Sequence, residues 1–314
     1  MKPFLFLFLF LVSSLDLKIT EASGTGNWGY TSTSDIKGPS DWKDINPTCD
    51  GARQSPIDIV TRSAVYLKDL QRIEIKKIDN FANFSTLERH ETSIYLKLNN
   101  SWGITFGGNQ CLRPDSIHWH WGSKGALGSE HSLDGKHYPI EGHLLSYNCM
   151  KYSSLNEAKS SPEGLYVIGI FYKIGPKNVL IDKIIPAMQN LSSSTNISSV
   201  IISEISVEEI LPKNLDKYYQ YDGSLTTPPC TENVRWTVLN EELTIDESQL
   251  EVFRQFDFES PNSGKMENNF RPILSKFNEK RTIYSSFKTG LTVKFNEKIL
   301  LGVLCAIFMC LQSR

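Results

Sequence analysis

The sequence lacks an excess of charge of either sign. It carries 33 Lys and Arg residues against 35 Asp and Glu residues, which leaves a formal net charge of −2 at pH 7. Proteins whose main ligand is nucleic acid usually present a basic patch or stripe to the phosphate backbone. This chain has no such stripe, so we expect no nucleic-acid partner.

The sequence also lacks an apolar run long enough to span a bilayer, which takes about 20 residues. Two shorter runs lie near its ends, Phe4 to Val12 behind Lys2, and Ile299 to Leu311. The first is typical of a secretory signal peptide that is cleaved after Ala22, with a retained signal anchor as the alternative. The second follows small residues such as Ser286 and predicts a glycosylphosphatidylinositol (GPI) attachment signal, with a short transmembrane helix as the alternative.

These ends predict a division into three regions. They are a signal peptide at 1–22, a folded domain at 23–286 and a C-terminal GPI-attachment signal at 287–314, which is removed. The mature protein would follow the secretory route and be held on the extracellular face of the cell membrane by a lipid anchor. Sequons that fit glycosylation of a secreted surface occur at Asn83, Asn190 and Asn196.

Internal repeats and low-complexity linkers are absent as well, which favours a single domain. Helical patterns are few: Asp246 to Phe256, where Asp246 and Gln249 are spaced as a capping box, and Val179 to Leu191, which Pro186 interrupts. Short β-rich runs are separated by Gly, Pro, Asn and Ser. The sequence therefore predicts a mainly β domain with a few peripheral helices. The β-rich runs are Ile73 to Ile78, Ser93 to Leu98, Ser116 to Trp121, Ile140 to Asn148, Tyr166 to Tyr172 and Val234 to Leu239.

The cysteines are few and even in number once the C-terminal signal is removed. Of the six in the chain, Cys305 and Cys310 lie in that signal. An even number in an oxidising compartment predicts two disulfides, for which four cysteines allow three connectivities. The four that remain are Cys49, Cys111, Cys149 and Cys230.

Histidine is rare, but its placement is not random. The chain has six, of which five fall between His118 and His143. Residues i and i+2 of a strand point to the same side, so His118 and His120 share a face, and a second strand that pairs with the first would bring His143 beside His118. Three imidazoles with one open position are typical of a catalytic zinc site. An isolated His-x-His pair would equally suit core or surface histidines; the third histidine and the acidic neighbours favour the metal.

The chain carries a series of motifs that include the histidines. They are Arg53-Gln-Ser-Pro-Ile-Asp-Ile59, His118-Trp-His-Trp-Gly122, Gly128-Ser-Glu-His-Ser-Leu-Asp134, Glu141-Gly-His143, Gly223-Ser-Leu-Thr-Thr-Pro-Pro-Cys-Thr231 and Asn269-Phe-Arg-Pro272. In this order, over about Trp28 to Phe287, they resemble the alpha-class carbonic anhydrases. The resemblance implies a single domain around a large twisted, mostly antiparallel sheet, with zinc at the floor of a conical cleft. It also implies reversible hydration of carbon dioxide to bicarbonate and a proton, by attack of zinc hydroxide, and inhibition by sulfonamides.

The resemblance implies roles for individual residues. His118, His120 and His143 match the zinc ligands, and Glu141 the partner that orients His143. Thr226 is similar to the hydroxyl that accepts a hydrogen bond from the zinc hydroxide and donates one to Glu130, because a carboxylate can only accept. Ser116 and Asn269 match residues behind the ligands. The residues that match the substrate site are Thr227 and an apolar wall of Leu145, Val167, Leu225, Val234 and Trp236. An ordinary Thr-Thr-Pro-Pro turn is the alternative for Thr226 and Thr227, and plain core packing is the alternative for the apolar wall.

The sequence departs from the family in the segment before His118. Trp102 stands where fast members have a proton-shuttling histidine, shortly after an Asn-Asn pair, if no gap intervenes. The stretch from Asn100 to His118 is also shorter than in the family, which predicts the loss of much of a strand. The alternative is that this deletion removes the shuttle position and that Trp102 matches a later residue; either way, no shuttle histidine is evident there. His90 and His137 remain as candidates, and neither is assigned. Ser116 also replaces a longer Gln, so we expect His118 to be held differently.

The cysteine pairs follow from two arguments. Cys49 and Cys230 match the positions that pair in extracellular members of the family. If His118 lies opposite His143 in an antiparallel pair, the same register brings Cys111 near Cys149, which predicts a second disulfide.

Three functions compete. The first is an active zinc hydratase at the outer cell surface, the second a carbonic anhydrase-like binding or adhesion module, and the third a glycoprotein in which zinc only staples the sheet. No zinc histidine is lost and no fourth ligand is evident, which favours the enzyme.

Overall fold

The structure is a computed structural model that describes residues 27–78, 84–99, 101–107, 111–193, 197–259, 264–274 and 281–289. The predicted signal peptide, residues 290–314, Asn83 and Asn196 lie outside these residues. Asn190 is exposed on a helix. In the part of the chain that is described, no helix combines the length and the apolar character needed to cross a membrane.

Fifteen strands and five α-helices make up the described fold. The strands are β1 Asp58–Ile59, β2 Val65–Tyr66, β3 Ile73–Lys77, β4 Phe84–Arg89, β5 Ile94–Lys97, β6 Trp102–Phe106, β7 Leu112–Trp121, β8 Ser132–Leu133, β9 Ile140–Asn148, β10 Leu165–Ile174, β11 Ser199–Ser203, β12 Tyr218–Gly223, β13 Val234–Leu239, β14 Leu243–Ile245 and β15 Tyr284–Ser285. The helices are α1 Trp42–Ile45, α2 Leu155–Lys159, α3 Val179–Ser193, α4 Val207–Ile210 and α5 Glu247–Arg254.

Thirteen strands form one sheet, in the order β11-β4-β5-β7-β9-β10-β13-β12-β15-β2, with β14 beside β10 and β6 beside β3 and β7. Most pairs are antiparallel; β10 with β13, β10 with β14 and β15 with β2 are parallel. Strands β1 and β8 form a separate parallel pair. The predicted mainly β fold with a large, mostly antiparallel sheet is confirmed.

The two longer helices match their sequence patterns. Helix α5 begins after Asp246, whose side chain and that of Gln249 form the predicted capping box. Helix α3 contains Pro186 and buries Leu180, Ile184 and other apolar residues. Helices α1, α2 and α4, of four or five residues each, were not predicted, although Ser154 caps α2, and Ser206 and Glu209 form a capping box at α4.

The alternation of side chains along β7 separates core from cleft. Ile117, Trp119 and Trp121 are fully buried in the larger hydrophobic core. The side chains of His118 and His120 lie on the opposite face, because successive residues of a strand point to opposite sides. In the pairing of β7 with β9, His118 lies directly opposite His143, as the sequence predicted.

The expected loss of a strand before His118 is wrong for the described residues. Strand β5 pairs directly with β7, and β6 pairs with β3 and also touches β7. Trp102 begins β6 and is buried in the large core, so it does not stand at a proton exit. The prediction failed because it looked for the missing strand after Asn100, whereas β5 lies before Asn99 and fills the position beside β7.

Candidate metal centre

Three histidines converge where β7 meets β9. His118, His120 and His143 each offer a ring nitrogen, and these atoms lie within 4.8 Å of one another. The ring centroids are 5.1 Å apart for His118 and His120, 5.3 Å for His118 and His143, and 4.6 Å for His120 and His143. Burial, followed by the effect of neighbouring histidines, lowers the pKa of His118 well below its usual value. Burial is also the main cause that lowers the pKa of His120, so both rings are neutral, as metal ligands must be.

Two of the three rings are held by a hydrogen bond. His120 Nδ1 donates to the backbone carbonyl of Asn269 at 2.7 Å, and His143 Nε2 donates to Glu141 Oε1 at 2.8 Å. The Asn269 side chain in turn accepts from the backbone of Trp121 at 2.7 Å. His120 Nε2 is buried without a hydrogen-bond partner. A buried polar atom without a partner is costly, and a metal ion between the three rings would satisfy it, so the residues fit the ion.

Glu141 is the centre of a buried hydrogen-bond network. Besides His143, it accepts from the His131 backbone N–H at 2.8 Å and from His131 Nδ1 at 2.7 Å. His131 Nε2 lies 2.6 Å from the Tyr221 hydroxyl, which lies 2.9 Å from Ser55 Oγ. Burial raises the pKa of Glu141, but His131 and His143 outweigh it and hold that pKa well below its usual value. His131 was missed as a site residue; its place in the Gly128–Asp134 motif was the available signal.

Ser116 does not support His118. Its hydroxyl donates to Asp115 Oδ2 at 2.9 Å, and Lys97 Nζ lies 2.7 Å from the same oxygen. His118 Nδ1 is buried and has no hydrogen-bond partner. The short Ser side chain reaches the neighbouring carboxylate and not the imidazole two residues further on, in line with the expectation that His118 is held differently.

The hydrogen bond expected from Thr226 to Glu130 is not formed in the structure. Glu130 Oε1 accepts from the Arg271 backbone N–H at 2.7 Å, while its Oε2 is buried without a partner. The loop is closed by its own backbone, from Cys230 N–H to Thr227 oxygen at 2.8 Å. These backbone bonds place Thr226 beside the cleft but do not set the direction of its hydroxyl.

The three histidines lie at a cleft with a volume of about 300 Å³. Thr226 and Thr227 line it together with an apolar wall of Leu145, Val167, Leu225 and Trp236. Val234, which was assigned to that wall, is not among the lining residues and is buried in the adjacent core with Trp236. The cleft thus offers an apolar surface next to the metal ligands.

The opposite side of the cleft carries residues that sequence reasoning did not place there. Tyr30, His90 and Tyr95 line it, so a histidine is present after all, whereas His137 is not among the lining residues and bonds to Ser129. His90 is about half exposed, and its Nε2 lies 3.0 Å from Glu88 Oε2. Burial, aided by nearby carboxylates, raises the pKa of Tyr95 to about 12.

Both predicted disulfides are present. Cys49 and Cys230 are bonded across 181 residues of sequence, and Cys230 directly follows the Thr-Thr-Pro-Pro segment of the cleft. Cys111 and Cys149 are bonded, and the Cys149 N–H donates to the Cys111 carbonyl at 2.9 Å. A register shift in β7 between Pro114 and Ser116 moves the pairing with β9 by one residue. This shift brings the two cysteines opposite each other.

The fold and the site together define an enzyme with an open three-histidine metal centre of the catalytic zinc type. Residues 37–287 match the family model described as eukaryotic-type carbonic anhydrase. The chain is similar to the human protein named carbonic anhydrase 7, with 35% identity over 254 residues, which are 80% of this chain and 94% of that protein. It is equally similar to the mouse protein of that name, at 35% over 249 residues, 78% of this chain and 92% of the relative.

The chain therefore belongs to the eukaryotic-type, or alpha-class, carbonic anhydrase family and is an enzyme of that kind, a lyase. The family uses zinc, and the histidine cluster of this chain is able to hold the ion, so zinc is its cofactor. The family acts on carbon dioxide and bicarbonate and is inhibited by sulfonamides in general.

Proposed function

We propose that this protein hydrates carbon dioxide reversibly at the outer face of the cell membrane, with His118, His120 and His143 as the zinc ligands. The observation that carries the proposal is the cluster of three ring nitrogens within 4.8 Å of one another, beside an apolar wall. Bound zinc supplies Lewis-acid chemistry that makes a water molecule nucleophilic near neutral pH. The remaining tasks fall to the side chains of the cleft.

The apolar wall receives the substrate. Carbon dioxide has no net charge and makes only weak hydrogen bonds, so Leu145, Val167 and Trp236 favour it over water at that surface. Thr226 orients the nucleophile by accepting a hydrogen bond from it once its own hydroxyl turns toward Glu130. The free Oε2 of Glu130 is available as the acceptor.

His90 moves the proton to bulk water. Each hydration releases one proton, and an imidazole at the cleft can accept that proton and pass it to solvent. His90 lines the cleft, and its half-exposed side chain reaches solvent. His90 is thus the proton-shuttling histidine that could not be assigned from the sequence.

Stopped-flow hydration of carbon dioxide by purified, zinc-loaded protein tests the activity. We expect a rate that a primary sulfonamide abolishes, and we expect His143→Ala to lose both zinc and rate. His137→Ala is the matched control, since His137 is not among the residues that line the cleft. A zinc-bound wild type without a sulfonamide-sensitive rate would favour the binding or adhesion module.

The cellular location rests on other observations. Two disulfides support an oxidising compartment, and the exposed Asn190 is accessible for glycosylation. The apolar segment from Ile299 to Leu311 supports a lipid anchor. Treatment of intact cells with a phospholipase that cleaves GPI anchors should release the protein. Retention on the surface would favour the transmembrane helix, and an intracellular location would contradict the proposal.

A further inference from the structure

His118 differs from the other two zinc ligands in how its ring is held. His120 and His143 are each anchored by a hydrogen bond, to Asn269 and to Glu141. His118 Nδ1 is buried and makes no hydrogen bond. A ligand ring without such an anchor is free to rotate, and orienting partners behind metal ligands typically contribute about 10- to 100-fold in metal affinity.

The polar groups nearest in the sheet are engaged with one another. Ser116, on the same strand face as His118, donates to Asp115, and Lys97 contacts the same carboxylate oxygen. Lys97 lies directly opposite Ser116 in the pairing of β5 with β7. These groups bond to one another, and none of them accepts a hydrogen bond from the His118 ring.

An aromatic ring covers His118 instead. Tyr95 lies directly opposite His118 in the pairing of β5 with β7. The two rings are stacked, with centroids 4.6 Å apart and planes inclined by 19°. Tyr95 also contacts His90, at a centroid distance of 4.4 Å. Strand register therefore places a flat surface against the imidazole plane.

We propose that Tyr95 is the positioning residue of His118 and that ring stacking replaces the missing hydrogen bond. The inference rests on the proposed role of His118 as a zinc ligand. With Nε2 as the metal-binding atom of this ring, Nδ1 is the atom that is left without a hydrogen-bond partner. Stacking restricts rotation of the imidazole and keeps Nε2 directed toward the other two ligands, while Nδ1–H stays buried without an acceptor.

Three variants test separately the stacking surface of Tyr95, its hydroxyl group and the missing hydrogen-bond acceptor of His118. Tyr95→Phe keeps the stacking surface, Tyr95→Leu removes it, and Ser116→Gln supplies a longer side chain whose amide oxygen can reach Nδ1. Zinc affinity is measured by competition with a chromophoric chelator. We expect Tyr95→Leu to bind zinc about three- to tenfold more weakly, the range of an aromatic pair, and Tyr95→Phe to bind as the wild type does. Ser116→Gln should bind zinc about tenfold more tightly and should rescue Tyr95→Leu.

A second readout is independent of the metal. In the zinc-free protein, the ring current of residue 95 should shift the His118 ring protons upfield in nuclear magnetic resonance spectra of the wild type and of Tyr95→Phe. That shift should vanish in Tyr95→Leu, whose thermal unfolding reports whether it folds. Ser116→Gln tests the missing acceptor in the wild-type background if Tyr95→Leu does not fold.

The outcomes are separable from those of the proposed function. A wild type that binds no zinc would overturn the proposed function. A wild type that binds zinc, with equal affinity in Tyr95→Leu or an equal loss in Tyr95→Phe, would overturn this inference alone. An unchanged zinc affinity in Ser116→Gln would also contradict this inference, because His118 Nδ1 would then not be short of a hydrogen-bond acceptor.

Discussion

Replacement of Glu141 by Gln is the sharpest test of the buried network behind the zinc ligands. The side chain is fully buried and accepts three hydrogen bonds, two from His131 and one from His143, at 2.7–2.8 Å. Gln has nearly the same shape but carries one acceptor oxygen and one donor group. The amide cannot accept from all three donors, so at least one N–H must face another donor.

The magnitude follows from these contacts. A buried donor left without a partner costs about 1–3 kcal/mol. Two further bonds change from charged to neutral acceptors, which lowers each by about 1 kcal/mol. We therefore expect Glu141→Gln to lower the free energy of unfolding of the zinc-free protein by about 3–5 kcal/mol. Because the His143 ring also loses its anchor, zinc should bind about 10- to 100-fold more weakly.

Denaturant unfolding and chelator competition measure the two effects. Glu208→Gln is the matched control, because it makes the same chemical change at an exposed position of α4 and should stay within about 0.5 kcal/mol of the wild type. The reasoning is refuted if Glu141→Gln holds zinc within twofold of the wild type and unfolds at the same denaturant concentration.

Three further changes probe other parts of the molecule. His90→Ala should lower the maximal hydration rate about tenfold or more, with recovery in imidazole buffer, whereas His137→Ala should not; an unchanged rate in His90→Ala contradicts the assigned proton exit. Glu242 lies between two lysine ammonium groups, and its hydrogen bonds to them outweigh its burial and lower its pKa from 4.5 to about 2. A lowered carboxyl pKa stabilises the fold above pH 4.5, and this effect is lost as the pH falls toward 2. The wild type should therefore be more stable than Glu242→Gln by about 1 kcal/mol at pH 7 after solvent screening, and this difference should vanish as the pH falls over that range. A difference in unfolding free energy that stays constant with pH would argue against it. Joint replacement of Cys111 and Cys149 by Ser opens a cross-link across 38 residues and should cost at most about 4 kcal/mol in denaturant unfolding; no measurable loss would mean that the bond does not constrain the unfolded chain.

The parts of this protein that could be predicted from sequence depend on short-range geometry. The i, i+2 spacing of His118 and His120 places both rings on one strand face wherever the strand lies. The capping box of Asp246 and Gln249 defines the start of α5 by local hydrogen bonds. Cys49 and Cys230 were paired because they match a family pattern. The pairing of Cys111 with Cys149 needed only one assumed strand pair, in which His118 lies opposite His143.

The sequence by itself determined the fold class, the cluster of three histidines and both disulfides, because period-two alternation and family motifs are written in residue order. Only the tertiary structure decided which side chains surround His118. The register of β5 against β7 places Tyr95 on the imidazole, and no local pattern records the pairing of residues as far apart in sequence as Tyr95 and His118. The same fold brings His90 to the cleft. The sequence also did not predict that Ser116 bonds to Asp115, or that the Thr226 hydroxyl makes no hydrogen bond to Glu130. Hydrogen bonds between side chains depend on distances that only the folded chain establishes.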